Sequence, residues 1–388
     1  MNPKLSKRVQ SLPPYPFADL DRKKVELRKQ GKDLIDLSIG DPDIPTPQPI
    51  IAAMQKAVTN AEYHRYPPYS GTVAFRESVI RWYKRRFGVS LTLEETLALI
   101  GSKEGIANIH YAFVNPGDVV LCPTPGYPVY SVAAQFAGGE PYFLPLRHDR
   151  AFLPDLNSIP DSVLKRAKLL HLNYPNNPTA AVATEAFFKE VVAFAQKHNI
   201  IVCHDAPYTE IYFDNKKPIS FLQTPGAKEV GIEFHSLSKT FNMTGWRLGF
   251  ACGHKDVIAG LAKIKTNVDS GPFAAIQEAG VFSLDHEEGL TPSIRKEYQV
   301  RRDTLVTALK KLNFEVTAPP ATFYIWMSVP KNTTATAFAA AILEKSSVVV
   351  TPGTAFGKAG EGYIRFALTA SVERLKEAAE RISIIRSW

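Results

Sequence analysis

Cysteine is scarce in this chain of 388 residues: only Cys122, Cys203 and Cys252, far apart and each inside an apolar stretch. Such spacing excludes a disulfide framework and a clustered thiolate metal site. It predicts buried thiols in a reducing compartment, the cytoplasm. No apolar run approaches the roughly 20 residues of a membrane span. The first residues, from Met1 to Lys7, lack the apolar centre of a secretory signal. No internal repeat or low-complexity tract is present, which excludes a solenoid. Lys and Arg outnumber Asp and Glu by 46 to 38, a formal charge of +8. The basic residues are nevertheless scattered in pairs such as Lys23-Lys24, Arg85-Arg86 and Lys216-Lys217, with no interleaved aromatics. No nucleic-acid partner is expected; a basic surface that favours small anions is.

What the chain does have is apolar runs in alternation with helical periodicity. Residues 97–100, 119–122, 169–172, 200–203, 232–235 and 248–252 are short and apolar, bounded by Gly, Pro or polar turns, and predict buried strands. Between them lie segments such as 184–195, with apolar residues at helical spacing. The alternation predicts an α/β protein with a largely parallel sheet, whose ligands sit beyond the strand C-terminal ends. The last hundred residues change character. A long charged helix around 293–303 precedes two short strand candidates, 323–326 and 348–350, which predicts a smaller α+β domain. At 45% hydrophobic residues, the chain is long enough for two domains.

The most informative stretch is 234–249. Lys239 follows an apolar run, with Ser236 three residues before it and Arg247 eight after. Upstream, Asp205 and Tyr208 stand three apart at the end of another apolar run. A solitary Lys in a polar loop is ordinarily a solvated surface group. These partners in register are instead what a pyridoxal phosphate site needs. A lysine amine links to the cofactor, and a carboxylate keeps the pyridine nitrogen protonated. A phenol bonds the ring oxygen, while Ser and Arg hold the phosphate. The turn that opens a helix at Gly101-Ser102-Lys103 can cradle the same phosphate through its amides and the Ser102 hydroxyl. An ordinary strand-to-helix turn with Ser102 as N-cap is the competing reading.

On these residues the chain resembles the fold-type I aminotransferases of the aspartate aminotransferase superfamily, class I/II, over nearly its whole length. The resemblance implies pyridoxal 5'-phosphate as cofactor and Lys239 as the lysine bonded to it. Asp205 would be the partner of the ring nitrogen, and Tyr208 and Asn177 partners of the ring oxygen. Ser102, Lys103, Ser236 and Arg247 would lie at the phosphate, and Tyr127 on the ring face. It implies a homodimer in which Tyr66 reaches the phosphate of the neighbouring subunit. Arg365 would clamp the substrate α-carboxylate, with Gly40, Asn177, Lys103 and Tyr15 also at the substrate. Where the family motif after Asn177 carries glycine, this chain has Ala180; if the turn needs a positive φ, Ala costs about 1 kcal/mol there. The fold implied is a large domain, residues 46–285, with a mostly parallel seven-stranded sheet flanked by helices. A small discontinuous α+β domain would join 1–45 to 286–388.

Longer matches, among them the segments 12–15, 39–47, 64–67, 101–106 and 241–246, are similar to the prokaryotic LL-diaminopimelate aminotransferases. That implies ping-pong exchange of an amino group between an L-amino acid and 2-oxoglutarate, in lysine and cell-wall biosynthesis, with Lys103 near the far end of the donor. Two positions depart from the plant-type pattern: Tyr69 stands for a glutamate near the distal ammonium, and Ser270 for an asparagine. A neutral phenol does not replace a carboxylate opposite an ammonium. A broad-specificity aspartate, alanine or aromatic aminotransferase shares the same residues, and a carbon–sulfur β-lyase uses the same fold.

Overall fold

In a computed structural model describing residues 1, 3–10, 12 and 18–385, every apolar run picked out above within the first 253 residues becomes a strand. The strands are β1 (Ile35–Asp36), β2 (Thr96–Leu99), β3 (Val119–Thr124), β4 (Glu140–Pro145), β5 (Ala167–Asn173) and β6 (Ile201–Asp205). They continue with β7 (Gly231–Ser236), β8 (Gly249–Gly253), β9 (Tyr324–Ser328), β10 (Val348–Val349), β11 (Thr351–Pro352) and β12 (Tyr363–Ala367). Seven form one sheet in the order β2-β8-β7-β6-β5-β3-β4. Pairing is parallel from β7 through β4, and β8 runs antiparallel to both β7 and β2.

Successive residues of a strand face opposite sides, so a sheet covered on both faces needs apolar residues at both parities. Val119 and Leu121 enter one core with Trp82, Phe188 and Val191 from helices Val73–Phe87 and Glu185–His198. Val120 and Cys122 enter another with Ile106, Ile109 and Leu261 from helices Ser102–Phe113 and Lys255–Val268. All three cysteines are buried and free. The helix expected over 184–195 is Glu185–His198; the Thr184 hydroxyl caps it by accepting from the Phe187 amide, and Asn199 ends it at φ 52°. The edge strand β4 was not expected. Its sequence contains Pro141 and Pro145 and it is largely exposed, features that an edge position tolerates and a central one does not.

A third core gathers Ile35 and Leu37 with Tyr298, Leu305, Ile325, Phe338, Ile342, Phe366 and Leu375. Its strands form a parallel pair, β1-β10, and a three-stranded antiparallel sheet, β11-β12-β9. Its long helix is Glu287–Lys311. Among the described residues, no helix is long and apolar enough to cross a membrane.

Candidate active site

Three neighbouring strands deliver the polar residues at one edge of the large sheet, the C-terminal ends that such sheets use for ligands. Asp205 is the last residue of β6, Ser236 the last of β7 and Asn173 the last of β5. A cavity of about 470 Å³ opens there. It brings together Gly40, Ser102, Lys103, Tyr127, Asn177, Asp205, Tyr208, Ser236, Lys239, Arg247 and Arg365 of the expected site residues. Tyr66 is 88% exposed on this chain and does not line the cavity. Tyr15 lies outside the described residues. Tyr69 and Ser270 do not line it either.

Lys239 sits in the short helix Leu237–Thr240, and its Nζ donates to the Gly40 carbonyl at 2.7 Å. Burial lowers its pKa to about 8; Asp41 opposes the shift, and the cationic Arg247 and Arg365 add to it. Gly40 is bare for a reason: a Cβ there would stand 1.8 Å from the Tyr324 hydroxyl oxygen. That hydroxyl pairs with the Tyr208 hydroxyl at 3.1 Å.

Asp205 is a buried carboxylate with two unlike oxygens. Oδ2 accepts from the Tyr130 hydroxyl at 2.7 Å, whereas Oδ1 is buried with no partner. Burial pushes its pKa up to about 6, with the Tyr130 hydrogen bond opposing. Buried acceptors are rarely left bare. The Asn173 amide donates to the Asp205 carbonyl at 2.7 Å, and its Oδ1 accepts from the Asn177 N–H at 2.8 Å. The following turn closes through Ala180, whose φ is 59°, with its N–H on the Asn176 carbonyl. The turn therefore does take the left-handed conformation in which alanine is strained.

This loop presents Asn177 to Arg365 of β12: Nη1 donates to Asn177 Oδ1 at 2.8 Å and Nη2 to the Ser38 carbonyl at 2.6 Å. The guanidinium lies 4.2 Å from the Tyr324 ring centre and 4.7 Å from that of Phe356. The seven-stranded and the three-stranded sheets thus both contribute to one cavity. On its other side, Arg247 Nη1 donates to the Thr244 carbonyl at 2.8 Å. A Cβ on Gly101 would stand 2.3 Å from Arg247 Nη2, so glycine lets the helix start approach the guanidinium. Gly101, not Ser102, occupies the N-cap of helix Ser102–Phe113, and makes no side-chain cap. Ser102 is the first helical residue, so the competing reading of Ser102 as N-cap does not hold. The Lys103 ammonium lies 5.7 Å from the Tyr127 ring centre.

Sequence reasoning passed over Tyr130, Asn173, Ser38 and Tyr324. Tyr130 stands three residues after Tyr127, and Asn173 opens the loop that holds Asn177, so both were adjacent to recognised motifs.

The set fits pyridoxal phosphate. Asp205 Oδ1 awaits a donor that a protonated pyridine nitrogen would supply, and a lysine of lowered pKa faces the same cavity. A helix start beside an arginine and two serines suits a phosphate dianion. Among the described residues no group of three or more His, Cys, Asp or Glu side chains is placed to hold a metal.

Comparison with known proteins agrees. The family described as aminotransferase class I and II matches residues 32–382. An LL-diaminopimelate aminotransferase of Aquifex aeolicus is 53% identical over 382 residues, 98% of this chain and 99% of that one. One of Moorella thermoacetica is 53% identical over 379 residues, covering 97% of each. Among solved structures, apo-BacF of Bacillus subtilis superimposes with a TM-score of 0.95 at 38% identity, covering 100% of this chain and 99% of that one. A Thermus thermophilus aspartate aminotransferase mutant gives a TM-score of 0.92 at 30% identity, with 99% and 100% covered. With a matching family profile, full-length relatives and a cavity suited to the cofactor, the chain belongs to the class I and II aminotransferases, enzymes dependent on pyridoxal phosphate.

Proposed function

We propose that this aminotransferase exchanges an amino group between LL-2,6-diaminopimelate and 2-oxoglutarate by a ping-pong mechanism, in lysine and cell-wall biosynthesis. The observation that carries this reading is the 53% identity, over 98% of the chain, to an enzyme named for that donor. Bound pyridoxal phosphate supplies a sink for the electron pair left when the substrate Cα–H bond breaks. Lys239 would form the covalent link to the cofactor. Asp205 would keep the ring nitrogen protonated, Tyr208 and Asn177 would bond the ring oxygen, and Tyr127 would serve the ring. The Ser102–Lys103 turn, Ser236 and Arg247 would hold the phosphate. Arg365 grips the substrate α-carboxylate as a fork, which lysine could not do, with Asn177 and the backbone of Gly40 beside it.

Lys239 would also be the base, once the incoming amino group has taken its place on the cofactor and released it as a free amine. A general base must be neutral to accept a proton, and at a pKa of about 8 a substantial fraction of its amine is neutral near physiological pH. It takes the proton from the substrate Cα. We further propose a cytoplasmic homodimer, in which Tyr66, exposed on the isolated chain, completes the neighbouring subunit's phosphate site. The large domain is then 46–285 and the small one 1–45 with 286–388, and the cavity between them draws Lys239 from one and Arg365 from the other.

A second reading, broad specificity toward aspartate, alanine or aromatic donors, is favoured by the neutral Tyr69 and Ser270. Steady-state kinetics of a donor panel against 2-oxoglutarate decides between them. Diaminopimelate should exceed lysine, which lacks the distal carboxylate, by about a thousandfold in kcat/KM, since a site built to bond a group rejects analogues without it. Turnover no better than with aspartate, alanine or glutamate would give the second reading its place.

A further inference from the structure

The cavity holds more charge than amino transfer itself uses. Lys239, Asp205, Arg247 and Arg365 have roles at the cofactor and the α-carboxylate; the charged groups left on the lining are Lys103, Asp41 and Asp21. Asp21 is already engaged: Lys24 Nζ lies 2.6 Å from its Oδ1 and 3.1 Å from Asp36 Oδ2, so one buried ammonium serves both carboxylates. Asp41 differs. It is exposed to the cavity mouth and makes no hydrogen bond or ion pair with any described residue, yet its field reaches Lys239. Its neighbour Gly40 accepts from Lys239 Nζ and lies so close to the Tyr324 hydroxyl that a Cβ would not fit, so the backbone that carries Asp41 runs along the wall of the site.

The donor proposed above ends in an ammonium and a carboxylate; besides the turn that serves the phosphate, the lining offers the unpaired carboxylate of Asp41 and the Lys103 ammonium near the Tyr127 ring. We propose that Asp41 is a specificity-determining residue that receives the distal ammonium of the donor, beside the distal carboxylate that the resemblance already places near Lys103. This rests on the diaminopimelate reading. It accounts for the neutral Tyr69: the attraction for the ammonium comes from the start of the same chain's cavity wall. Left open to water, an unpaired Asp41 costs little in the empty site. Once a donor fills the cavity and displaces that water, the ion pair strengthens as the local dielectric falls.

The test compares two donors of equal length on the holoenzyme with 2-oxoglutarate: LL-diaminopimelate and L-2-aminopimelate, which keeps the distal carboxylate and lacks the distal ammonium. The quantity read is the ratio of their kcat/KM values. Asp41→Asn should lower that ratio by about 10- to 100-fold, the range for a hydrogen bond to a charged group. Most of the loss should fall in KM for diaminopimelate. Asp41→Glu, which retains the charge, should recover part of the ratio. Asp21→Asn removes a charge from the same lining and should leave the ratio within about twofold, because Asp21 is held by Lys24. An unchanged ratio in Asp41→Asn, or an equal collapse in Asp21→Asn, overturns the assignment. A wild-type enzyme that handles diaminopimelate no better than aspartate refutes the substrate reading and this inference with it. A wild-type preference that survives Asp41→Asn refutes Asp41 alone.

Discussion

Replacing Asp205 by Asn should stabilise the cofactor-free enzyme while it disables the loaded one. Burial raises the Asp205 pKa from 3.8 to about 6, so the folded protein binds a proton more tightly than the unfolded chain does. Between those two values the native state carries more protons, and stability must fall as pH rises. Since each tenfold difference in proton affinity is worth roughly 1.4 kcal/mol, an ionised Asp205 costs on the order of 3 kcal/mol at pH 8 and about half of that at pH 5. Asn keeps an acceptor for the Tyr130 hydroxyl and does not titrate. Its advantage over Asp should therefore grow by on the order of 1 kcal/mol from pH 5 to pH 8. For a chain of 388 residues this is a further rise of about 1–2 °C in the relative Tm of the variant. The assay is denaturation of both cofactor-free proteins by urea and by heat across that range. Adding pyridoxal phosphate should reverse the order, since the ring nitrogen pairs with a carboxylate and not with an amide. A stability difference that does not change with pH, or one that narrows toward pH 8, would refute the reasoning.

Two further outcomes follow from local geometry. Trace acetylation of the cofactor-free protein, read by peptide mass spectrometry, should titrate Lys239 with a midpoint near 8, because burial penalises its charged form; a midpoint near the ordinary lysine value of 10.5 would contradict the account. Ala180→Gly should raise stability by about 0.5–1 kcal/mol in denaturant titration, by relieving the strain of alanine at φ 59°, and a loss of stability would show that the buried methyl packs too well to give up.

Much of this site could be read without coordinates, for an identifiable reason. Asp205, Ser236 and Lys239 lie at or just beyond the ends of apolar strands, and a parallel sheet places such ends side by side whatever the loops do. The six buried strands of the large sheet were legible as apolar runs, but a run has no direction, so nothing announced that β8 is antiparallel. The edge strand β4 escaped because its prolines and exposure read as loop. Tyr130 and Tyr324 escaped for a different reason. Each acts through a tertiary contact, with Asp205 75 residues away and with Tyr208 116 residues away, and no local pattern encodes such a meeting. The left-handed turn at Ala180 was anticipated only conditionally, because alanine hides a conformation that glycine would have advertised.

The central claim is that Lys239 carries the cofactor in the cavity bounded by Asp205 and Arg365. Borohydride reduction of the yellow holoenzyme, followed by proteolysis and mass spectrometry, tests it most directly. The account predicts a single phosphopyridoxyl group on the peptide containing Lys239, loss of visible absorbance when an amino donor is added before the reductant, and neither label nor turnover in Lys239→Ala. A label on another lysine, or normal turnover in Lys239→Ala, would contradict it.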